Sequence, residues 1–301
     1  MSLALGTSFA RLNAGSASVK RMFRGSAGVW NADAADWIKR VEANSGSVST
    51  ATANAVTNFC NAIDAAGIRD KFYRLNLFCG TGLNACFVPL YRGPTYGGTT
   101  YGNAIDDSKG TFVSEDYSET GASGGLGSSP NLTKHLDTGL ASDTLPSILS
   151  GHLAVYMRGN AISATTGLIA ADDGTDRFAI FTRPTQTIRG SWAEITNSTA
   201  NNEFSFAPAY ATGLYTFTRT AAAESVIYQD ETPKSTNTVS TAPEAISTPW
   251  FVFAANSSGS AINLTTARLA AYSIGTGMSA ANMTAYSAAM DAFQTALTRT
   301  G

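Results

Sequence analysis

Residues 167–183 read Gly-Leu-Ile-Ala-Ala-Asp-Asp-Gly-Thr-Asp-Arg-Phe-Ala-Ile-Phe-Thr-Arg. Two short, mostly apolar runs, 167–171 and 177–183, flank a segment of Asp, Gly and Thr. Runs of that length bounded by such residues are strands joined by a tight turn, because Asp and Gly tolerate the backbone a turn requires. The same signature recurs outward at 132–136, 152–157, 187–192, 214–220, 224–229, 249–254 and 267–274. Many short strands with turns between them predict an antiparallel arrangement in two packed sheets.

The ends of the chain change period. Val56, Phe59, Cys60, Ile63 and Ala66 fall on one face of a 3.6-residue repeat, with Ser49 or Thr50 as cap and Gly67 as stop. Asn31 or Asp33 caps a preceding helix that carries Trp37, Ile38 and Val41. Ser279 opens a last helix in which Met283, Tyr286, Met290, Phe293 and Leu297 make one apolar stripe. Residues 72–79 and 85–91 are β-type, 92–102 is a loop of Gly and Tyr, and 117–130 is Gly/Ser-rich and predicted to be the most flexible segment. Two similar pieces near the start, Leu12-Asn-Ala-Gly-Ser-Ala-Ser-Val19 and Met22-Phe-Arg-Gly-Ser-Ala-Gly-Val29, read as small strands without a core of their own. The expected organisation is a β docking segment at 1–30, a helical hairpin at 31–70 and a sandwich at 71–301. The sandwich core spans 132–278, and a C-terminal helix follows at 279–298.

The segment Lys134-His-Leu-Asp-Thr-Gly139, the strand series after it, and Ala267-Arg-Leu-Ala-Ala-Tyr-Ser-Ile-Gly275 before a Ser-capped helix resemble the laminin-G-like/concanavalin-A-like jelly roll. The version they resemble is that of structural proteins of tailed bacteriophages, in which such segments open and close the sandwich. The resemblance covers roughly residues 45–301. It implies a mainly β fold, an antiparallel jelly-roll sandwich with an N-terminal helical hairpin and a C-terminal helix. It implies a component of a tailed-phage virion, on the tail, collar or capsid surface, assembled in the host cytoplasm. The implied partners are other virion proteins and repeated copies of the same chain. The Glu-x-Asp-x-Glu pattern of glycoside hydrolases with this fold is absent from the sequence, so the resemblance implies no enzymatic activity. The alternative is a carbohydrate-binding module that contacts host-surface glycans. The remaining reading is a glycan-degrading enzyme, for which Glu194 and Glu224, in strand-like runs, are the carboxylates able to form a rigid pair.

Composition limits the partners. Twenty Lys and Arg against 22 Asp and Glu leave a net charge of −2, without the basic surplus that nucleic acid demands. Only 14% of residues are charged, against roughly 25% in an ordinary domain. The surface is therefore built of Ser, Thr, Asn and Gly, which suits copies packed together. No apolar run approaches the ~18 residues of a membrane span, and the first residues lack a signal-peptide core.

Candidate sites are few. Tyr96, Tyr101, Trp192 and Tyr210 lie in or beside loop-like sequence and are the expected carbohydrate or partner contacts, because aromatic faces stack on sugars. Tyr96 and Tyr101, set among glycines, lead. Asp172, Asp173 and Asp176 bring carboxylates into one turn. They offer Ca²⁺ oxygen ligands, and laminin-G-like sandwiches hold that ion at a sheet rim. The competing reading is an ordinary Asp-Gly hairpin turn, and no other cofactor is expected. Cys60, Cys79 and Cys86 cannot all pair within one chain and read as buried thiols, with a Cys79–Cys86 or Cys60–Cys79 bridge, or pairing to a neighbouring chain, as the alternatives.

Overall fold

The computed structural model describes residues 30–128, 132–158, 164–183, 187–194, 203–207, 211–240 and 242–299. The docking segment expected at 1–30 lies outside them except for Trp30. Asn31–Gly301 form one compact unit, in which helices and sandwich are packed together.

Both helices of the hairpin start where the sequence places a cap. Ala32–Ala43 (α1) follows Asn31, whose side chain accepts from the Asp33 amide, and Thr50–Ala65 (α2) follows Ser49, which accepts from the Thr52 amide. The C-terminal helix Ala280–Ala296 (α3) opens with Ser279 and Asn282 capping each other reciprocally.

The strands form two antiparallel sheets. One runs in the order Thr232–Asn237 (β13), Glu224–Gln229 (β12), Gly213–Ala221 (β11), Gly151–Arg158 (β6), Arg268–Gly275 (β17), Gly125–Gly127 (β4) and Tyr117–Ser118 (β3). Phe72–Asn76 (β1) also pairs with β17. The other runs Glu203–Phe206 (β10), Thr187–Glu194 (β9), Asp176–Arg183 (β8), Thr166–Asp172 (β7), Pro249–Val252 (β14), His135–Ala141 (β5) and Asp107–Lys109 (β2). A short hairpin, Ala255–Ser257 (β15) with Ser260–Ile262 (β16), adds the one parallel pairing among the described residues, β15 on β7. The protein is thus a mainly β sandwich with helices at its N- and C-terminal ends.

The central strands of the first sheet, β6 and β17, are buried on both faces, which makes three layers there. In β6, Leu153, Val155 and Met157 point into the core between the sheets, while Ala154 and Tyr156 join a second core under the helices. That alternation leaves all eight residues of β6 buried, the pattern of a strand covered on both sides. The second core holds Trp37, Val56 and Ile63 from the hairpin and Met283, Tyr286 and Met290 from α3. Phe59 meets Phe293 edge to face at 5.9 Å. Ala154 and Ala270 are the small residues on the helix-facing side of the sheet, which permits close approach.

Two expectations fail. Residues 85–91 do not form a strand: a single helical turn, Leu83–Cys86, stands there, and Tyr91 makes only an isolated bridge to Leu75. Gly80 and Gly82, both at positive φ, break the extended backbone just before it. The Gly/Ser segment at 117–130 is not loose over its described part, up to Ser128. Arg268 donates to the carbonyls of Asp116, Ser123 and Gly125, and Arg299 to that of Glu119. Its glycines serve close approach: a Cβ on Gly124 would lie 2.4 Å from the Arg299 side chain, and one on Gly125 2.4 Å from the Leu269 carbonyl oxygen.

Candidate functional site

The Gly/Tyr loop at 92–102 rests on a buried polar brace. Arg74 of β1 is wholly buried and donates to Asp106 Oδ1 at 2.7 and 3.0 Å and to the carbonyls of Tyr101 and Asn103. Asp106 also accepts from Tyr272 Oη at 2.6 Å and from Asn76 Nδ2 at 2.7 Å. Burial opposes the charge on Arg74, but Tyr272 and Asp106 outweigh it and raise its pKa. The loop's far end is thereby fixed to the sheet. A buried cation with this many acceptors is rigid, because releasing it would strand several polar groups.

The near end is fixed by the helices. Arg69 forks onto Asp33 at 2.8 and 2.9 Å, donates to the Gly93 carbonyl at 2.7 Å, and lies 3.7 Å from the centre of the Tyr91 ring. Burial works against its charge, but Asp33 raises its pKa. Arg40 pairs with Asp36 at 2.7 Å and donates to the carbonyls of Pro89 and Leu90 at 2.6 and 2.8 Å. Its pKa is lowered, first by burial and further by the neighbouring charges of Arg92 and Arg74.

Between these clamps and the loop lies a cleft of about 190 Å³. Its walls include Asp33, Asp36, Arg40 and Arg69 on one side and Arg92, Tyr96, Gly97 and Gly98 on the other. The Arg92 guanidinium makes no hydrogen bond or ion pair among the described residues, unlike the other two arginines. Tyr96 is 59% exposed, and Thr95, Thr99 and Thr100 add hydroxyls beside it. The volume is below the roughly 300–1,000 Å³ of pockets that enclose drug-sized ligands. It accommodates one small ring or the end group of a chain.

Of the aromatic contacts expected from the sequence, only Tyr96 is freely exposed at this cleft. Tyr101 is half-buried, with its ring 4.9 Å from Tyr73, edge to face. Trp192 is 1% exposed in the core between the sheets, against Phe178 and Trp250, with Nε1 donating to the Ile148 carbonyl at 2.8 Å. Its strand, β9, points it inward. The expectation of a Trp192 contact surface is therefore corrected. Tyr210 lies outside the described residues.

The acidic turn folds onto itself. Asp172 Oδ2 takes Arg177 at 2.6 Å and Oδ1 the Gly174 amide. Asp173 accepts from the amides of Thr175 and Asp176, and Asp176 from that of Glu244. No group of three or more His, Cys, Asp or Glu among the described residues could hold a metal. Asp172, Asp173 and Asp176 thus do not fit a Ca²⁺ site as they stand, and the arrangement is a hairpin turn closed by an ion pair. Cys60, Cys79 and Cys86 are buried free thiols, and burial pushes the Cys60 thiol up to about 12.

The sequence reading missed Asp33, Asp36, Arg40, Arg69 and Arg92. Three Arg and two Asp spread over 60 residues carry no spacing motif, and only the meeting of hairpin and loop unites them.

No protein-family model matches the chain, and no curated protein matches it. Solved structures do. The NanB sialidase of Streptococcus pneumoniae matches at 17% identity and a TM-score of 0.43, over 52% of this chain and 26% of that one. The sialidase of Trypanosoma rangeli matches at 12% and 0.43, over 74% and 33%. The CBM40 module of a Ruminococcus gnavus sialidase, bound to α2,3-sialyllactose, matches at 7% and 0.39, over 50% and 91%. The chain thus spans about a quarter of the NanB sialidase it matches. The expectation of a chain without enzymatic activity is corrected by these matches, since enzymes stand among them. At such identities and scores, the likeness assigns neither activity nor ligand to this chain.

Proposed function

We propose that the protein contacts host-surface carbohydrate at the cleft between the helical hairpin and the 92–102 loop, and does so as a component of a tailed-phage particle. The observation that carries the glycan contact is Tyr96, a ring 59% exposed on a loop whose ends are held by the buried Arg74 and the half-buried Arg69. An exposed aromatic normally costs little to leave in water singly, but a rigid one beside hydroxyls and an unpaired guanidinium presents what a sugar needs. The ring face meets apolar C–H groups, and fixed polar groups meet the hydroxyls.

What supports the particle setting is the resemblance of residues 134–139 and 267–275 to phage structural sandwiches. These segments fall in or beside β5 and β17, one in each sheet, and a Ser-capped helix follows the second. The low charge of the chain, 14%, suits repeated copies that bury one another's surfaces. Other virion proteins, and further copies of this chain, are the partners this reading names.

Retention of the purified chain on host-surface polysaccharide tests the glycan contact. Tyr96→Ala should abolish retention, whereas retention unchanged by that substitution refutes the cleft. Release of reducing ends from the same polysaccharide distinguishes cleavage from binding. For the setting, immunogold labelling of intact particles with an antibody to residues 132–301 should decorate head, collar or tail. Unlabelled particles refute it.

A further inference from the structure

The cleft holds three guanidiniums and two carboxylates. Arg40 already has Asp36 at 2.7 Å, and Arg69 already has Asp33 in a two-pronged pair at 2.8 and 2.9 Å. Arg92 has no anion. Its charge is felt by Arg40, whose pKa it helps to lower after burial. An unpaired arginine at the wall of a small cleft is a site short of one negative charge. Arginine is the side chain whose planar fork matches a carboxylate with two parallel hydrogen bonds.

We infer that the cleft takes an acidic sugar, a hexuronic-type ring whose carboxylate pairs with Arg92 while its face lies on Tyr96. The inference rests on the glycan contact proposed above and names its ligand class. The size agrees: about 190 Å³ is room for one ring, not for a chain threaded through. The chemistry of the walls agrees too. Asp33 and Asp36 are each held by their own arginine, so they add little net repulsion to an incoming carboxylate, and the count leaves one positive charge unmatched. Thr95, Thr99 and Thr100 are placed to meet ring hydroxyls. A neutral sugar would satisfy the hydroxyls and the ring but leave the guanidinium as it is.

The test compares two probes of one backbone, tetragalacturonate and its fully methyl-esterified form, by calorimetric titration of the whole chain. The acid should bind roughly tenfold tighter or more, the scale of one charge-assisted contact. Arg92→Gln should erase that preference without changing the melting temperature, because Arg92 holds no partner among the described residues. Tyr96→Ala should weaken both probes. Equal binding of acid and ester, or a preference that survives Arg92→Gln, overturns the acidic ligand and leaves the glycan contact standing. Inorganic sulfate that binds as tightly as the acid, with the same dependence on Arg92, overturns the sugar and leaves a bare anion site. If neither tetramer binds while retention on host polysaccharide persists, the acidic inference falls alone; if retention is also absent, both fall.

Discussion

Lowering the pH from 8 to 4 should cost the fold about 3 kcal/mol through one residue, His152 in β6. The ring is wholly buried. Its Nδ1 is 2.7 Å from the Thr276 carbonyl and its Nε2 2.9 Å from Ser273 Oγ. A carbonyl can only accept, so Nδ1 carries the proton and Nε2 accepts from the Ser273 hydroxyl. Ser273 Oγ in turn accepts from Tyr286 Oη at 3.2 Å, which extends the chain to α3. A second proton on Nε2 would oppose the Ser273 hydroxyl and require that hydroxyl to turn away. Burial lowers the pKa to about 4, the Thr276 carbonyl works the other way, and the nearby Lys71 lowers it further. The folded pKa of about 4 lies below the ordinary 6.5, so between those values the unfolded chain binds the proton and the folded one does not. Stability is full well above pH 6.5, falls as the pH drops toward 4, and levels off below that value once the folded ring is protonated too. Carboxylates add slopes of their own, so the measurement is a difference. Urea unfolding of wild type and His152→Gln at pH 8, 6, 5 and 4 should show the wild type's advantage shrinking by about 3 kcal/mol over that range. An advantage constant within about 1 kcal/mol refutes the neutral, buried imidazole.

Other perturbations separate fold from site. Arg299 is buried and donates to the carbonyls of Glu119, Leu77, Ala270 and Phe78. Arg299→Ala should cost about 3–5 kcal/mol in chemical unfolding, since several buried acceptors lose their donor at once, and a cost under about 1 kcal/mol would contradict the clamp. Trp192→Ala should cost about 3–5 kcal/mol as a core cavity, and Tyr96→Ala less than about 0.5 kcal/mol as a surface change. Thermal melts showing the reverse order would mean that the two rings are misplaced. A chelator should leave the melting temperature unchanged because the Asp172–Asp176 carboxylates are taken up by Arg177 and by backbone amides; a fall restored by Ca²⁺ would show an ion held there.

The sandwich and its helices were legible because their signals are local. Ser49, Ser279 and the repeats they introduce need no tertiary information, and the turn at 172–176 announces a hairpin by composition. Residues 85–91 were misread because apolar content alone does not distinguish a strand from a buried turn, and the interruption lies upstream in Gly80 and Gly82. The glycines of 117–128 suggest flexibility in the sequence because glycine usually marks freedom, whereas Gly124 and Gly125 admit the Arg299 side chain and the Leu269 carbonyl. Tyr96 is legible as an exposed ring because an aromatic among glycines has few ways to be buried; the burial of Trp192 is not, because its strand turns it inward. The cleft's charges could not be found by spacing, since Asp33 and Arg92 meet only when α1 docks beside the loop.

The most direct test of the glycan contact is the footprint itself: amide shifts of the isotopically labelled chain on titration with host-surface oligosaccharide. Shifts concentrated at 33–40 and 92–100, and lost in Tyr96→Ala, are the expected result. Shifts confined to the sandwich rim around 172–176, with 92–100 unmoved, would contradict it.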